Sequence, residues 1–204
     1  MIALRQLGAD AHGIEYAQAK VATFHHRHPG EVDVVRVGDI ESMDYRSGTF
    51  DLVIANEVLE HVGDDRKALR EIHRVLRPGG HLLIFSPNRL YPFESHGVVL
   101  RYGGRSVPRH VPFVPYLPVA WVKHLLHYRA RNYWPTELRR LVREAGFVVL
   151  ATDYLWQTFE NISGHQPTAL KLSKTLLRRL SFFLESIPII RTLGVSQFIL
   201  AQKA

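Results

Sequence analysis

The sequence predicts an α/β fold built on a mostly parallel sheet. Up to Asn88, short apolar runs alternate with helical patterns, which is typical of βαβ units. Residues 50–55 form a nearly continuous apolar run, as in strands that are buried in a parallel sheet. The 204 residues are enough for one domain with a sizeable core, and we treat 1–204 as a single domain.

The individual elements follow from local patterns. Strands are predicted at 11–15, 32–37, 50–55 and 81–86, and helices at 16–26 and 64–76. The second helix has apolar residues at the helical period, namely Ala68, Leu69, Ile72, Val75 and Leu76. The run Arg77-Pro78-Gly79-Gly80 should end this helix and turn the chain.

The second half of the chain contains two regions of different character. Residues 87–133 are rich in proline, glycine and aromatic residues and predict an irregular insert with at most one helix, near 119–128. We expect this insert over the active site, at the carboxyl ends of the strands. A helix opening at Pro135 and stopping at Gly146, a strand at 147–154 and a final strand at 196–202 follow, with an amphipathic helical insert at 168–193 that Pro188 interrupts.

Composition limits the possible functions. The absence of cysteine excludes disulfides, thiolate metal sites and a cysteine nucleophile. A net charge of +7 favours anionic partners, but no block of Lys and Arg is long enough to predict nucleic-acid binding. No apolar run approaches the ~20 residues of a membrane-spanning helix, so we expect a cytoplasmic protein.

Two acidic residues close the first two predicted strands. Glu15 could accept both hydroxyls of a ribose, because a carboxylate has two oxygens with the spacing of a vicinal diol. Asp39 could accept a hydrogen bond from an adenine amino group, with Ile40 packed on the ring. The plainer interpretations are a glutamate that caps the next helix and an ordinary loop aspartate.

Longer motifs carry a family resemblance. The runs FDLVIANEVLEHV (50–62), ALREIHRVLRPGGHLLI (68–84) and NYWPTELRRLVREAGFVVL (132–150) occur in this order and spacing. Together with the ending SQFILAQKA, they resemble class I S-adenosylmethionine-dependent methyltransferases. The resemblance implies a Rossmann-like three-layer sandwich, a mostly parallel sheet with an antiparallel last strand, and S-adenosylmethionine as cofactor.

The resemblance also implies roles for single residues. Glu15 would hold the cofactor ribose, and Asp39 with Ile40 would bind the adenine. Asn56 would lie beside the methionine part and line the reaction centre, with Val58 and Leu59 supporting that wall. The turn at 77–80 would be structural.

One departure from the family pattern concerns the N-terminal side. No Gly-x-Gly-x-Gly run precedes Glu15, and residues 1–8 align best with the end of the helix that follows that loop. We therefore expect the first strand of the family fold and its glycine loop to be missing from this chain. Neighbouring strands would then have unpaired edges and exposed apolar side chains, and cofactor binding would be weak.

The spacing of Glu57, Glu60 and His61 raises the question of a metal. It resembles the EVLEH segment of quinone O-methyltransferases, where two carboxylates and an imidazole can hold a divalent ion. Magnesium or manganese would suit oxygen-rich ligands with one imidazole. The alternative is that the acids only favour the start of the next helix, and we predict no metal.

A polar stretch opens the first insert. Asn88, Glu94 and His96 resemble a pattern found in a subset of these methyltransferases and should face the substrate entrance. His96 is the candidate general base, because an imidazole titrates near neutral pH. Alternatively, these groups only fix the loop through hydrogen bonds.

The predicted function is methyl transfer from S-adenosylmethionine to a small or lipid-like acceptor, with oxygen preferred as the acceptor atom. The basic and apolar segment 170–193 could touch an anionic membrane or pack on the sheet. The competing classes are a non-catalytic, methyltransferase-like binding module and a nicotinamide enzyme. The missing glycine loop favours the former, and the LRPGG turn and the absence of a Tyr-x-x-x-Lys pair oppose the latter.

Overall fold

The computed structural model describes residues 1–108, 111–156, 179–180 and 182–204. Its strands are β1 (Gly13–Glu15), β2 (Val35–Val37), β3 (Phe50–Asn56), β4 (Leu76–Pro87), β5 (Val98–Leu100), β6 (Ser106–Val107), β7 (Leu126–Tyr128), β8 (Phe147–Leu155) and β9 (Ser196–Lys203). Its α-helices are α1 (Ile2–Gln6), α2 (Gln18–Arg27), α3 (Asp65–Val75), α4 (Val119–Val122), α5 (Pro135–Glu144) and α6 (Pro188–Arg191). Single 3-10 turns occur at Pro29–Glu31 and Val114–Tyr116.

The main sheet has four strands in the order β3-β4-β9-β8. Strands β3 and β4 are parallel, whereas β9 is antiparallel to both of its neighbours, β4 and β8. The predicted antiparallel last strand is therefore confirmed. It lies inside the sheet, where its alternating side chains reach both faces.

Helices α3 and α5 pack against one face of this sheet. The core combines Ala55 of β3, Ile84 of β4 and Ile199 of β9, which are aligned across the sheet, with the apolar stripes of the two helices. The helical residues that are buried are Ala68, Leu69, Ile72, Val75, Leu138, Leu141 and Val142. The apolar period read from the sequence thus marks the buried stripe of each helix.

The bounds of α3 have local causes. The Asp64 carboxylate accepts a hydrogen bond from the backbone N–H of Lys67 at 3.0 Å, which satisfies one of the free donors of the first turn. Near the other end, Arg74 forms an ion pair with Glu71 and donates to the carbonyls of Met43 and Tyr45. These bonds fix the segment before β3 onto the helix.

Strands β1 and β2 form a separate parallel pair. Among the described residues, β1 pairs only with β2, and β3 pairs only with β4. Ile14 of β1 and Ile40 after β2 nevertheless pack against the main core. The two sheets therefore share one apolar interior.

Strand β3 is less buried than its apolar run predicts. Leu52 and Ile54 are 46% and 41% exposed, whereas Ala55 on the opposite face is buried. The prediction of a strand buried on both faces is wrong for this structure, because α3 and α5 cover only the face that carries Ala55.

The Arg77-Pro78-Gly79-Gly80 run does not separate α3 from a strand beginning at His81. It belongs to β4, and the β3–β4 register shifts there, between the Phe50–Leu76 pair and the Leu52–His81 pair. Gly79 has a positive φ of 75°, and a Cβ on Gly80 would lie 2.9 Å from the Arg77 carbonyl oxygen. The glycines are therefore required, but they allow the irregular start of β4 and not a turn between α3 and a strand.

The insert at 87–133 is not irregular as predicted. It contains an antiparallel sheet in the order β6-β5-β7 and the short helix α4. The helix expected near 119–128 covers only Val119–Val122, and the last part of that range is strand β7. A local pattern search could not find this sheet, because its strands are two or three residues long and β5 pairs with β7 across more than twenty residues.

Most of the predicted amphipathic insert at 168–193 lies outside the described residues. Within its described part, α6 begins at Pro188, where the interruption was predicted. No helix among the described residues has both the length and the apolar character needed to cross a bilayer.

The core makes a first prediction about stability. Ile72 is fully buried, whereas Ile189 in α6 is 82% exposed. We expect Ile72→Ala to lower the free energy of unfolding by about 2–5 kcal/mol, because it leaves a cavity beneath the sheet. The chemically identical control Ile189→Ala should change it by less than about 0.5 kcal/mol. Urea denaturation measures both, and equal effects would contradict the placement of α3.

Candidate active site

Strand ends on one edge of the fold bring the predicted cofactor residues into proximity. Glu15 pairs in register with Val37, and the Gly38 N–H donates to the Glu15 carbonyl at 3.1 Å. Asp39 follows immediately, so the two acidic residues lie at adjacent carboxyl ends of parallel strands. This edge is where open α/β sheets bind ligands.

The Glu15 carboxylate is half-buried and oriented by the start of α2. One oxygen accepts the Ala17 N–H at 2.9 Å, and the other lies 3.4 Å from the Lys20 ammonium. Glu15 therefore bonds to the residue before α2 but does not cap the first turn of the helix. Each carboxylate oxygen has a second lone pair, so these bonds leave acceptor capacity for a diol.

The loop after β2 connects this edge to the loop after β3. Asp39 is exposed and accepts the N–H of Glu41 at 2.8 Å. Glu41 in turn accepts the N–H groups of Gly63 at 2.7 Å and Asp64 at 3.0 Å. The carboxyl ends of β2 and β3 therefore face the same side of the molecule.

Asn56 ends β3 at this edge and is exposed. The next residue, Glu57, adopts a left-handed φ of 53°, which is uncommon for a residue with a side chain. Its N–H still donates to the Phe85 carbonyl of β4. The chain therefore turns sharply here, and Val58 and the fully buried Leu59 pack into the core below.

Acidic and imidazole side chains meet directly beyond this turn. Ligand atoms of Glu60, His61 and His96 lie within 4.8 Å of one another, and we call these three residues the Glu-His cluster. The His96 Nε2 lies 3.8 Å from a Glu60 oxygen and 3.5 Å from a Glu57 oxygen. Glu57 also accepts a hydrogen bond from the Ser196 hydroxyl.

Glu60 is the most unusual member of the cluster. Its side chain is completely buried, and within the described part of the chain no hydrogen-bond donor reaches either oxygen. Burial, reinforced by the nearby charge of Glu57, raises the pKa of Glu60 to about 8. At neutral pH this carboxyl is mostly protonated unless a cation joins it.

His61 titrates in the opposite sense. Burial, together with the nearby His96 ring, lowers the pKa of His61 below its ordinary value. The two rings meet edge to face with their centroids 5.1 Å apart. A neutral imidazole has a free nitrogen lone pair, so the cluster is chemically suited to accept a proton or a metal ion.

The prediction that Asn88 and Glu94 face the substrate entrance is wrong. Asn88 is buried and donates to the carbonyls of Thr192 and Gly194. Glu94 is buried and accepts from the N–H of His96 and from the Asn132 amide. Both fix the insert through hydrogen bonds, as the alternative interpretation held, and only His96 of the three reaches the cluster.

Sequence reasoning missed this meeting of His96 with Glu60. It had assigned Glu57, Glu60 and His61 to one candidate and His96 to another. The available signal was that Glu60 and His96 each follow a strand of the β3–β4 pair, since parallel neighbours end at a common edge. Hydrogen bonding by Glu94 then turns the insert back towards β3.

Comparison with known proteins agrees with this architecture. Residues 1–84 match the model of the methyltransferase domain family. The ubiquinone biosynthesis O-methyltransferase of Pseudomonas aeruginosa is 34% identical over 173 residues, which cover 82% of this chain and 66% of that protein. A probable S-adenosylmethionine-dependent methyltransferase of Mycolicibacterium smegmatis is 37% identical over 78 residues, which cover 38% of this chain and 30% of that protein.

Solved structures show the same fold. An S-adenosylmethionine-dependent methyltransferase from Mesorhizobium loti superposes with a TM-score of 0.58 at 15% identity, over 94% of this chain and 79% of that one. The fold is thus the Rossmann-like α/β fold of these proteins. More specifically, the chain belongs to the class I S-adenosylmethionine-dependent methyltransferase family.

The buried carboxyl makes a prediction about pH. Between pH 4.5, the ordinary pKa of a glutamate, and about 8, folded Glu60 keeps a proton that the unfolded chain has lost. Because unfolding releases this proton, the free energy of unfolding falls as pH rises through this window. Above about pH 8 the stabilisation by protonated Glu60 is fully lost. In the presence of a chelator, Glu60→Gln should therefore flatten the fall in unfolding free energy between these values. Equal pH slopes for both proteins, measured by urea denaturation, would contradict the assigned burial.

Proposed function

We propose that this chain transfers a methyl group from S-adenosylmethionine to a hydroxyl oxygen of a small or lipid-like acceptor. The observations that support the proposal are the adjacent strand ends that carry Glu15 and Asp39 and the Glu-His cluster that follows β3. A family member named for O-methylation, 34% identical to this chain, supports oxygen as the acceptor atom.

The residues present fit the cofactor. Glu15 has free lone pairs for the ribose diol, and Asp39 is exposed for an adenine amino group. The half-buried Ile40 offers an apolar surface to the ring. Asn56 and Val58, at the sharp turn after β3, would line the side of the reaction centre.

Methyl transfer requires little acid–base chemistry from the protein. When bound, the sulfonium supplies an already activated methyl group, and the protein aligns the acceptor and excludes water. Transfer of this methyl group to a hydroxyl oxygen would release the hydroxyl proton, which needs an acceptor on the protein. His96 is the proposed acceptor of this proton, held by Ser95 at Nδ1 and facing Glu57 at Nε2.

Cofactor binding tests the proposal directly. In the full chain, Glu15→Ala should weaken S-adenosylmethionine binding by about tenfold to a hundredfold, since a charge-assisted hydrogen-bond acceptor is lost. Asp33→Ala, an exposed acid before the opposite end of β2, should leave the affinity unchanged. Isothermal titration calorimetry measures both.

Calorimetry combined with a methyl-transfer assay also tests the alternative that the chain is a non-catalytic binding module. Cofactor binding without methyl transfer to any phenolic or lipid-like hydroxyl would favour a binding module. No binding at all would contradict the proposal and leave the family fold with another role.

The Glu-His cluster supports a second role for the same residues. A buried carboxylate with two imidazoles offers oxygen and nitrogen ligands to a divalent ion such as Mn²⁺, and a cation would satisfy the unpartnered Glu60. Such an ion would lower the pKa of an acceptor hydroxyl. The two roles exclude each other at His96 Nε2, because a nitrogen that binds a metal cannot also take a proton.

Manganese binding decides between these roles. If the cluster is a metal site, the electron paramagnetic resonance signal of free Mn²⁺ should fall on adding protein. His96→Gln should abolish this fall, and His124→Gln, which alters an exposed imidazole of the insert, should preserve it. A signal unchanged by the unaltered protein would leave His96 as a proton acceptor only.

A further inference from the structure

The insert has an unusual charge distribution. Residues 95–136 contain no Asp or Glu but six Lys and Arg, so this segment alone supplies +6 of the chain's net +7. The basic residues are Arg101, Arg105, Arg109, Lys123, Arg129 and Arg131. A surface of one sign attracts an oppositely charged partner.

Two parts of this segment form one continuous surface. The Arg101 N–H donates to the Leu125 carbonyl at 2.9 Å, and its Nε donates to the Lys123 carbonyl at 2.7 Å. The turn between β5 and β6 therefore lies against the chain that follows α4. We call residues 101–105 and 119–125 together the insert tip.

The insert tip exposes large apolar side chains. Trp121 is 81% exposed, Tyr102 78% and Leu125 57%, and α4 has no buried residue. Full exposure of a tryptophan is costly in water, since it leaves a large apolar surface uncovered. This short helix adds no buried residue to the described core, and Val119 and Trp121 on it are exposed.

Cationic side chains flank these apolar groups. Arg105 and Lys123 are exposed, and neither pairs with a carboxylate among the described residues. Arg131, in contrast, forms an ion pair with Asp65 at 3.0 Å, so its charge is neutralised within the protein. Arg105 and Lys123 therefore give the insert tip positive charge that no described carboxylate neutralises.

We propose that the insert tip docks on an anionic phospholipid surface. Trp and Tyr prefer the boundary between headgroups and acyl chains, and Lys and Arg attract acidic headgroups. Aliphatic Val119 and Leu125 beside Trp121 favour hydrocarbon over nucleic acid, because bases stack on aromatic rings and not on branched aliphatic chains. This contact is proposed for a different part of the sequence from the segment 170–193, for which a membrane contact is predicted above.

Vesicle flotation tests this docking surface without reference to catalysis. The full chain should float with vesicles of phosphatidylcholine and phosphatidylglycerol, and less with phosphatidylcholine alone. Trp121→Ser with Leu125→Ser should abolish flotation, whereas Val148→Ser, an exposed apolar residue on β8, should not. Lys123→Gln should weaken binding to the anionic vesicles about fivefold, the effect of one charge near such a surface.

A spectroscopic signal locates the contact. Anionic vesicles should shift the tryptophan emission to shorter wavelength, and Trp121→Phe should remove most of this shift while flotation is retained. Loss of flotation with Phe182→Ser and Phe183→Ser, but not with the Trp121 and Leu125 changes, would overturn the proposal in favour of 170–193. Binding to a single-stranded oligonucleotide without flotation would overturn it as well.

Discussion

The packing of α3 and α5 on one face of the main sheet is the constraint on which the remaining structure depends. It fixes the orientation of β3 and β4, and therefore the edge at which Asn56 and the Glu-His cluster emerge. The buried Tyr133 reinforces this arrangement, because its hydroxyl donates to the Leu59 carbonyl and contacts the Asp65 carboxylate. The insert is thereby tied to the turn after β3 through the core and not only through the chain.

Elements with strong local signals could be predicted from sequence. The bounds of α3 and α5 were predicted to within one or two residues, because their apolar periods are regular and Asp64 and Gly146 mark their ends. The insert could not be predicted, since β5, β6 and β7 are only two or three residues long and depend on each other for pairing. The exposure of Leu52 was also unpredictable, because an apolar run does not reveal whether both faces are covered.

The candidate site also contains one part that could be predicted from sequence and one that could not. Glu15, Asp39 and Asn56 could be placed together because parallel strands end at one edge, and the structure places Glu15 and Asp39 at adjacent ends. The approach of His96 to Glu60 spans distant parts of the chain and depends on the hydrogen bonds of Glu94 to the backbone beyond it. A polar residue that fixes a loop and one that lines a site have the same appearance in sequence.

Glu60 connects the fold to its proposed chemistry. An ionised carboxylate without hydrogen bonds is costly to bury, so the folded chain must hold it neutral or supply a cation. In the neutral form, Glu60 carries no charge beside His96, and the Glu57 carboxylate near Nε2 would stabilise the imidazolium that forms when His96 takes a proton. With a cation, the same geometry instead lowers the pKa of an acceptor hydroxyl and leaves no need for a base. In the neutral form His96 takes the hydroxyl proton, and with a cation the acceptor hydroxyl loses it without a base, so the O-methylation proposal does not depend on which form is occupied.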